Sequence, residues 1–259
     1  EREFSLEWAS IYTFQCRRMK NFRHGRVLFV GDAAHQVSPF GARGANTGVQ
    51  DIDNLSWKLA AVLAGDADET LIDSYHEERA FAADDNLLNS TRSTDFITPK
   101  NAASKRFRNA VLDLAEKASF ARPLVNSGRL STPTPYLASS LNTPDAGIWH
   151  GRMIPGTVCS DAPVMAGGQP GWFLQQIGQG FTLLDFGTQA QPVSVGGVTA
   201  QVLRVGQEIE DSERLLAKRY DAQPGTVYLI RPDQHVAARW RSFNPAEAQA
   251  ALARALAKG

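Results

Sequence analysis

Between residues 31 and 48 the chain sets out residue types suited to a flat, polar ligand. Gly31-Asp32 ends the apolar run Val27-Leu28-Phe29-Val30, and the loop Pro39-Phe40-Gly41-Ala42-Arg43-Gly44-Ala45-Asn46-Thr47-Gly48 follows. A carboxylate at the C-terminal edge of a parallel sheet stands where open α/β sheets hold their ligands. There it accepts hydrogen bonds from sugar or polyol hydroxyls. Glycines let the backbone come close to a flat ring. Where such a loop feeds a helix, free N–H groups and the positive dipole end stabilise developing negative charge. Each part also has a plainer reading. An Asp after a strand is often a turn or cap residue, Gly41-x-x-Gly44 alone is weak, and His35 reads as a packed or capping histidine rather than a base.

The elements that must position these groups follow from periodicity. Residues 5–16 alternate apolar and polar, as a half-buried strand does. The run 27–30 reads as a strand buried on both faces, as in parallel sheets. From Val49 the period changes: Ile52, Leu55, Leu59 and Val62-Leu63 mark one helix face, with Asn46 or Thr47 as N-cap, Asp51 and Asp53 near its start and Gly65 at C′. Helical patterns continue over roughly 69–91 and 100–120. Residues 121–147, rich in Pro, Ser, Thr and Asn, read as an extended surface linker. Strands are expected over 181–186, 201–205 and 226–230. A turn at Arg231-Pro232-Asp233-Gln234 leads to a hairpin partner from His235 to Trp240. Asn244-Pro245-Ala246-Glu247 opens a last helix. The fold class is therefore α/β, divided into 1–120, a linker 121–147 and a small unit 148–259.

Composition excludes several classes. The 259 residues carry 27 basic and 27 acidic side chains, so no charge footprint for nucleic acid or anionic lipid exists. No uncharged apolar run is long enough to span a membrane. Cys16 and Cys159 are too far apart for a zinc knuckle and do not form a disulfide framework, and no metal site is expected. With no leader pattern at the start, the expectation is a reduced, cytoplasmic protein. The opening Glu1-Arg2-Glu3-Phe4 leads straight into a strand that needs a partner, which points to the C-terminal portion of a longer chain.

The order and spacing of Gly25-Arg26-Val27-Leu28-Phe29-Val30-Gly31-Asp32-Ala33-Ala34-His35, then Pro39, Gly41, Gly44, Asn46-Thr47-Gly48, Gln50-Asp51 and Asn54-Leu55-x-Trp57-Lys58-Leu59, are more specific than any part. This segment resembles the second FAD-binding region of class A flavin-dependent aromatic hydroxylases of the p-hydroxybenzoate hydroxylase fold. Weaker similarity continues at Tyr75-His76-Glu77-Glu78-Arg79. Gly180–Leu184 and Leu229–Ala237 resemble the thioredoxin-like C-terminal domain of the phenol and polyketide hydroxylase branches. The resemblance implies an incomplete Rossmann-like FAD-binding portion followed by a thioredoxin-like domain. It implies FAD as cofactor, NAD(P)H as reductant, and hydroxylation of a phenolic or other aromatic substrate by O2 through a flavin hydroperoxide. Gly31 and Asp32 would meet the ribityl chain, and Pro39 the isoalloxazine edge. Gly44, Ala45, Asn46 and Thr47 would turn backbone N–H groups toward flavin N1 and the C2 carbonyl. No residue of the chain is expected to be catalytic itself.

Departures from the family pattern limit what the chain does alone. Relatives have Gly-Gly-Gln-Gly where this chain has Gly41-Ala42-Arg43-Gly44. Ala42 restricts the loop's backbone angles. Arg43 reads as solvent-facing; the alternative is a cation that favours reduced flavin or an acidic substrate. No Gly-x-Gly-x-x-Gly fingerprint stands at a strand–helix junction. The chain alone is therefore not expected to retain FAD, and the missing N-terminal portion of the same protein is its expected partner, with a homodimer left open. A thioredoxin-like unit without Cys-x-x-Cys reads as a packing or contact domain. Tyr12 and Phe14 read as strand packing before pocket lining, Trp149, Trp172 and Phe173 as core or interface, and His235 as a surface hairpin residue. Two other functions stay open: a non-catalytic assembly module, and a flavoprotein with different redox chemistry.

Overall fold

A computed structural model describes residues 3–39, 41–125, 132–187 and 189–258. Phe40 of the glycine-rich loop and residues 126–131 of the proposed linker lie outside the described residues. The first part is a set of two-residue ladders packed on helices. β1 (Arg17–Arg18) pairs antiparallel with β4 (His35–Gln36), and β2 (Arg23–His24) pairs with β3 (Val27–Leu28) across a bend at Gly25. A 3-10 turn, Gly31–Ala33, lies between β3 and β4.

Two strand expectations fail here. Residues 3–16 are extended and exposed with no ladder, and Tyr12 and Phe14 are 68% and 60% exposed. Alternation gives a strand only where a neighbour satisfies its N–H and C=O groups, and among the described residues none pairs with this segment. The run 27–30 is not a doubly buried parallel strand. Val27-Leu28 close a short antiparallel hairpin, and Val27 is exposed.

Helix α1 (Arg43–Leu63) packs along α2 (Thr70–Ile97), and Leu55, Ile72, Tyr75, Ala80 and Ala83 form their shared core with Phe22 and Ala34. The C-terminus of α1 ends as the sequence expects: Gly65 takes φ +79°, its N–H meets the Val62 carbonyl, and Asp66 N–H meets that of Ala61. Its start differs. The helix begins at Arg43 behind Ala42, which sits in the left-handed region at φ 51°. Asn46 and Thr47 are therefore inside the helix instead of capping it. The buried face is also more polar than the apolar spacing suggests: Thr47, Asp51, Asn54 and Lys58 are buried, while Ile52 and Leu63 are exposed.

α3 (Ala102–Lys117), capped by Asn101 accepting from Ser104 N–H, and the short α4 (Arg122–Val125) lead into the connecting segment. That segment is not a simple surface wrap, because Tyr136 and Leu141 are buried within it.

The C-terminal part contains β5 (Pro163–Ala166), β6 (Gln169–Trp172), α5 (Phe173–Gln176), β7 (Thr182–Asp185), β8 (Val193–Val195), β9 (Val198–Arg204), β10 (Ile209–Glu210), α6 (Leu215–Arg219), β11 (Val227–Ile230), β12 (Val236–Trp240) and α7 (Pro245–Ala255). The main sheet has five strands in the order β12-β11-β7-β9-β8; β7 and β9 run parallel, and the other pairings are antiparallel. β5 is flanked by β10 and β6 in a smaller sheet. Alternation places Leu183 and Leu229 in one core, with α7, and Leu184, Tyr228 and Ile230 in another on the opposite face. Both faces are covered, so every residue of β7 and β11 is buried. Asn244 caps α7 by accepting from Ala246 and Glu247 N–H, with Pro245 at its first turn. Phe173 is fully buried core, Trp149 is half-buried against Arg239 and Arg241, and Trp172 is 49% exposed.

The two parts share a core. Ala67 and Leu71 pack among the sheet residues, Trp57 meets Phe181 edge-on at 5.5 Å, and Asp66 accepts the Gly197 N–H at 2.9 Å. Among the described residues no helix is long and apolar enough to cross a membrane.

Candidate functional site

Gly31 takes φ +56°, a conformation that glycine adopts without steric cost, and this lets the chain turn sharply after Val30. The Ala34 N–H closes the turn on the Gly31 carbonyl at 2.9 Å, and Tyr75 fixes its approach by donating to the Phe29 carbonyl at 2.7 Å. The turn also rests on α1: a Cβ on Gly48 would stand 3.4 Å from Gly31 Cα. Asp32 is exposed on this turn beside a hollow of about 210 Å³ lined in part by Arg17, Ala33, His35 and Gln36. Among the described residues the Asp32 carboxylate takes no hydrogen bond and no ion pair. A carboxylate held on a pinned turn and left without a protein partner is suited to accept hydroxyl donors from a ligand.

The pin is Asp51, fully buried on α1. Its Oδ2 accepts the Gly31 N–H at 2.8 Å and meets His35 Nε2 at 2.7 Å, while Oδ1 accepts from Arg79 Nε at 2.6 Å. Burial pushes the Asp51 carboxyl up, but His35 and Arg79 outweigh it and hold the group below its ordinary value. His35 is thus a packed histidine, as its place beside a strand end suggests. Asp51 is no first-turn cap, because the helix begins eight residues before it at Arg43.

The first turn of α1 faces a second hollow, of about 540 Å³, lined by Gly41, Arg43, Asn46, Thr47, Thr132 and Pro133 among others. The Ala42 N–H is taken by the Pro39 carbonyl at 3.0 Å. The N–H groups of Gly44 and Ala45 precede the first i→i−4 bond, so helix geometry leaves them for a ligand. The Asn46 and Thr47 N–H groups come after that point. Their side chains turn back on the helix: Asn46 Nδ2 donates to the Ala42 carbonyl at 2.7 Å, and Thr47 Oγ1 donates to that of Arg43. Pro39 is exposed between the two hollows in sequence. Arg43 is not solvent-facing. It is 8% exposed, donating to Asn86 Oδ1 and, at 3.2 Å, to the Thr132 carbonyl.

A third cluster went unread in the sequence. Glu78 of α2 accepts from Arg231 Nη1 and Nη2 at 2.6 and 3.0 Å, from Lys58 Nζ at 2.7 Å and from Ser139 Oγ at 2.5 Å. Asp233 takes Arg231 Nε and Nη2 at 2.9 and 2.5 Å. All four charged groups are fully buried or nearly so, and they bolt the helices to the turn between β11 and β12. Burial opposes the Glu78 charge, but Arg231 and Lys58 overcome it and hold the carboxyl well down; Arg231 and His235 do the same for Asp233. Lys58 shares a carboxylate already matched by Arg231, so burial prevails and lowers its ammonium to about 8. His235 is no surface residue: it is 9% exposed, stacked on Tyr136 at 4.6 Å, with Nδ1 2.8 Å from the Asp233 carbonyl. Asp51, Asn54 and Lys58 on one stripe of a helix were the available signal. Spacing alone does not tell a polar stripe facing inward from a solvated one.

Cys159 is buried, and burial pushes its thiol up to about 12; Cys16 is exposed. Among the described residues no group of His, Cys, Asp or Glu is placed to hold a metal.

Residues 2–90 match the family model of the FAD binding domain. The chain is 34% identical over 233 residues to a flavin-dependent monooxygenase of Mycobacteroides abscessus, covering 89% of this chain and 41% of the relative. It is 32% identical over 259 aligned positions to 6-methylpretetramide 4-monooxygenase of Streptomyces rimosus, covering 90% and 44%. The crystal structure of the flavin-dependent monooxygenase PieE, in complex with FAD and substrate, superposes with a TM-score of 0.75 at 25% identity over 96% of this chain and 50% of that one. The chain thus spans two fifths to half the length of these proteins.

Proposed function

We propose that this chain, a relative of the FAD-dependent aromatic and polyketide hydroxylases, forms the ribityl-contacting and ring-edge half of an FAD site in such an enzyme. The observation that carries this reading is Asp32, an exposed carboxylate without a partner among the described residues, on a turn pinned by the buried Asp51, within the segment matched by the FAD binding domain. The residues present fit that part of the cofactor. Asp32 would accept hydrogen bonds from ribityl hydroxyls, Gly31 would let the backbone pass close by, and Pro39 would stand by the ring edge. Gly44 and Ala45 offer N–H groups at the start of α1, with Asn46 and Thr47 shaping the same hollow. The diphosphate-binding fingerprint is supplied outside this chain, by the N-terminal portion of the same protein.

Bound FAD supplies oxygen activation and transfer to an aromatic ring, with NAD(P)H as reductant. The chain's own residues orient it, and the start of α1 stabilises negative charge on the reduced ring by about 0.3–2 kcal/mol. The order β12-β11-β7-β9, with β7 and β9 parallel, supports reading the C-terminal part as a thioredoxin-like unit that, without a dithiol, serves packing. The substrate is a multi-ring aromatic compound. The test is oxygen uptake and NAD(P)H oxidation by the full-length protein with a panel of aromatic polyketides. Hydroxylated product formed in step with NAD(P)H consumed supports the reading; oxidation that no aromatic compound stimulates and that yields no product overturns it.

A further inference from the structure

We propose that Arg79 is a positioning residue for the flavin contacts and that, through Tyr136, it makes cofactor affinity depend on the docked C-terminal part. The proposal rests on the flavin reading above and extends it to residues outside the cofactor's reach.

Arg79 is 1% exposed, and its guanidinium serves different pieces of the chain at once. Nε donates to Asp51 Oδ1 at 2.6 Å, Nη2 to the Thr47 carbonyl at 3.1 Å and Nη1 to the Tyr136 hydroxyl at 2.7 Å. Asp51 carries the turn that presents Asp32. Thr47 belongs to the first turns of α1 and lines the larger hollow. One planar, rigid fork therefore fixes the two flavin-facing elements relative to each other, which a lysine's single ammonium does not do.

Tyr136 brings in the C-terminal part. Its N–H donates to the Gly156 carbonyl at 2.8 Å, its carbonyl accepts from Asn142 Nδ2 at 2.7 Å, and its ring stacks on His235. Gly156 crosses so near that a Cβ there would stand 2.4 Å from the Tyr136 carbonyl oxygen, so this approach needs glycine. Burial pushes the Tyr136 phenol up to about 12, which keeps it neutral beside Arg79. Removing its oxygen leaves a buried guanidinium donor unmatched, a loss larger than that of an ordinary surface bond. The fork then has reason to rotate or draw in water, and the Asp32 turn loosens with it. A C-terminal unit without a dithiol thereby acts on the flavin site by clamping it.

The test is FAD titration of the full-length protein, read by flavin fluorescence and by the shape of the visible absorption band. Tyr136→Phe is compared with Tyr228→Phe, which deletes a buried hydroxyl bonded to the Tyr220 carbonyl in the C-terminal core. The expected result is an FAD Kd raised about fivefold to tenfold by Y136F, with a shifted band, somewhat less than the roughly twelvefold or more of one lost hydrogen bond to a charged group, because the loss reaches the cofactor only through the Asp32 turn. Arg79→Lys weakens binding at least as much, and Y228F lowers Tm while leaving Kd within about twofold. An unaltered Kd in Y136F, or an equal loss in Y228F, overturns the inference while tight wild-type binding leaves the flavin reading standing. A wild-type protein that takes up no FAD overturns both.

Discussion

Replacing Glu78 with Gln removes one carboxylate and leaves two buried cations, Lys58 and Arg231, to share Asp233. In the native cluster Glu78 receives both Arg231 terminal nitrogens, Lys58 Nζ and Ser139 Oγ within 3.0 Å. Breaking a buried pair by removing one partner costs about 3–5 kcal/mol. At about 2–4 °C per kcal/mol for a chain of this size, E78Q is expected to lower Tm by about 6–20 °C. Lys58→Met is expected to behave differently. It removes a buried ammonium whose burial already exceeds what Glu78 returns, and Glu78 keeps its bidentate Arg231. Its cost should stay within about 1 kcal/mol, in keeping with apolar replacement of buried ions. Denaturant unfolding with a common m-value separates the two. If E78Q costs as little as K58M, the cluster is not the joint between helices and sheet that its geometry describes.

Further expectations concern pH and the loop. Glu78 and Asp233 have folded values held below their ordinary ones. Their contribution is present above the unfolded value of about 4 and is lost as pH falls toward the folded values, by up to about 1.4 kcal/mol per unit for each group. Denaturation midpoints should fall from about pH 5 downward, and E78Q should flatten that fall; an unchanged slope would refute it. Lys58 is lowered to about 8. Between there and its unfolded value of about 10.4 the unfolded chain binds more protons, so stability should rise with pH, and K58M should abolish the rise. Ala42 sits at φ 51°, and Ala42→Gly is expected to gain about 1 kcal/mol, measured by the same unfolding curves; a loss would contradict the strain assigned to this residue.

The parts legible in the sequence are those fixed by local chemistry. The Gly65 cap, the Asn244-Pro245 helix start and the strands around Leu183 and Leu229 follow from neighbours a few residues away. Gly31 marks the end of the 27–30 run, but the parallel strand expected before it is a short antiparallel hairpin, so Asp32 stands on a 3-10 turn and not at the edge of a parallel sheet. What was missed needs partners far along the chain. Asp51 reads as a helix-start acid until Gly31, His35 and Arg79 converge on it. His235 reads as a hairpin surface residue until Tyr136 covers it, and Arg43 as solvent-facing until Asn86 and Thr132 receive it. Alternation over residues 5–16 describes which faces differ in polarity; whether a ladder forms depends on a partner strand.

The most direct measurement is FAD bound per full-length protein, compared between wild type and Asp32→Ala. Asp32 is exposed and bonds to nothing else in the described chain, so the substitution should leave the apoprotein's Tm unchanged. Loss of its charge-assisted bonds to the cofactor should raise the FAD Kd by about tenfold to a hundredfold. A wild type that binds no FAD, or a D32A protein that binds it as tightly as the parent, would contradict the assignment of this turn.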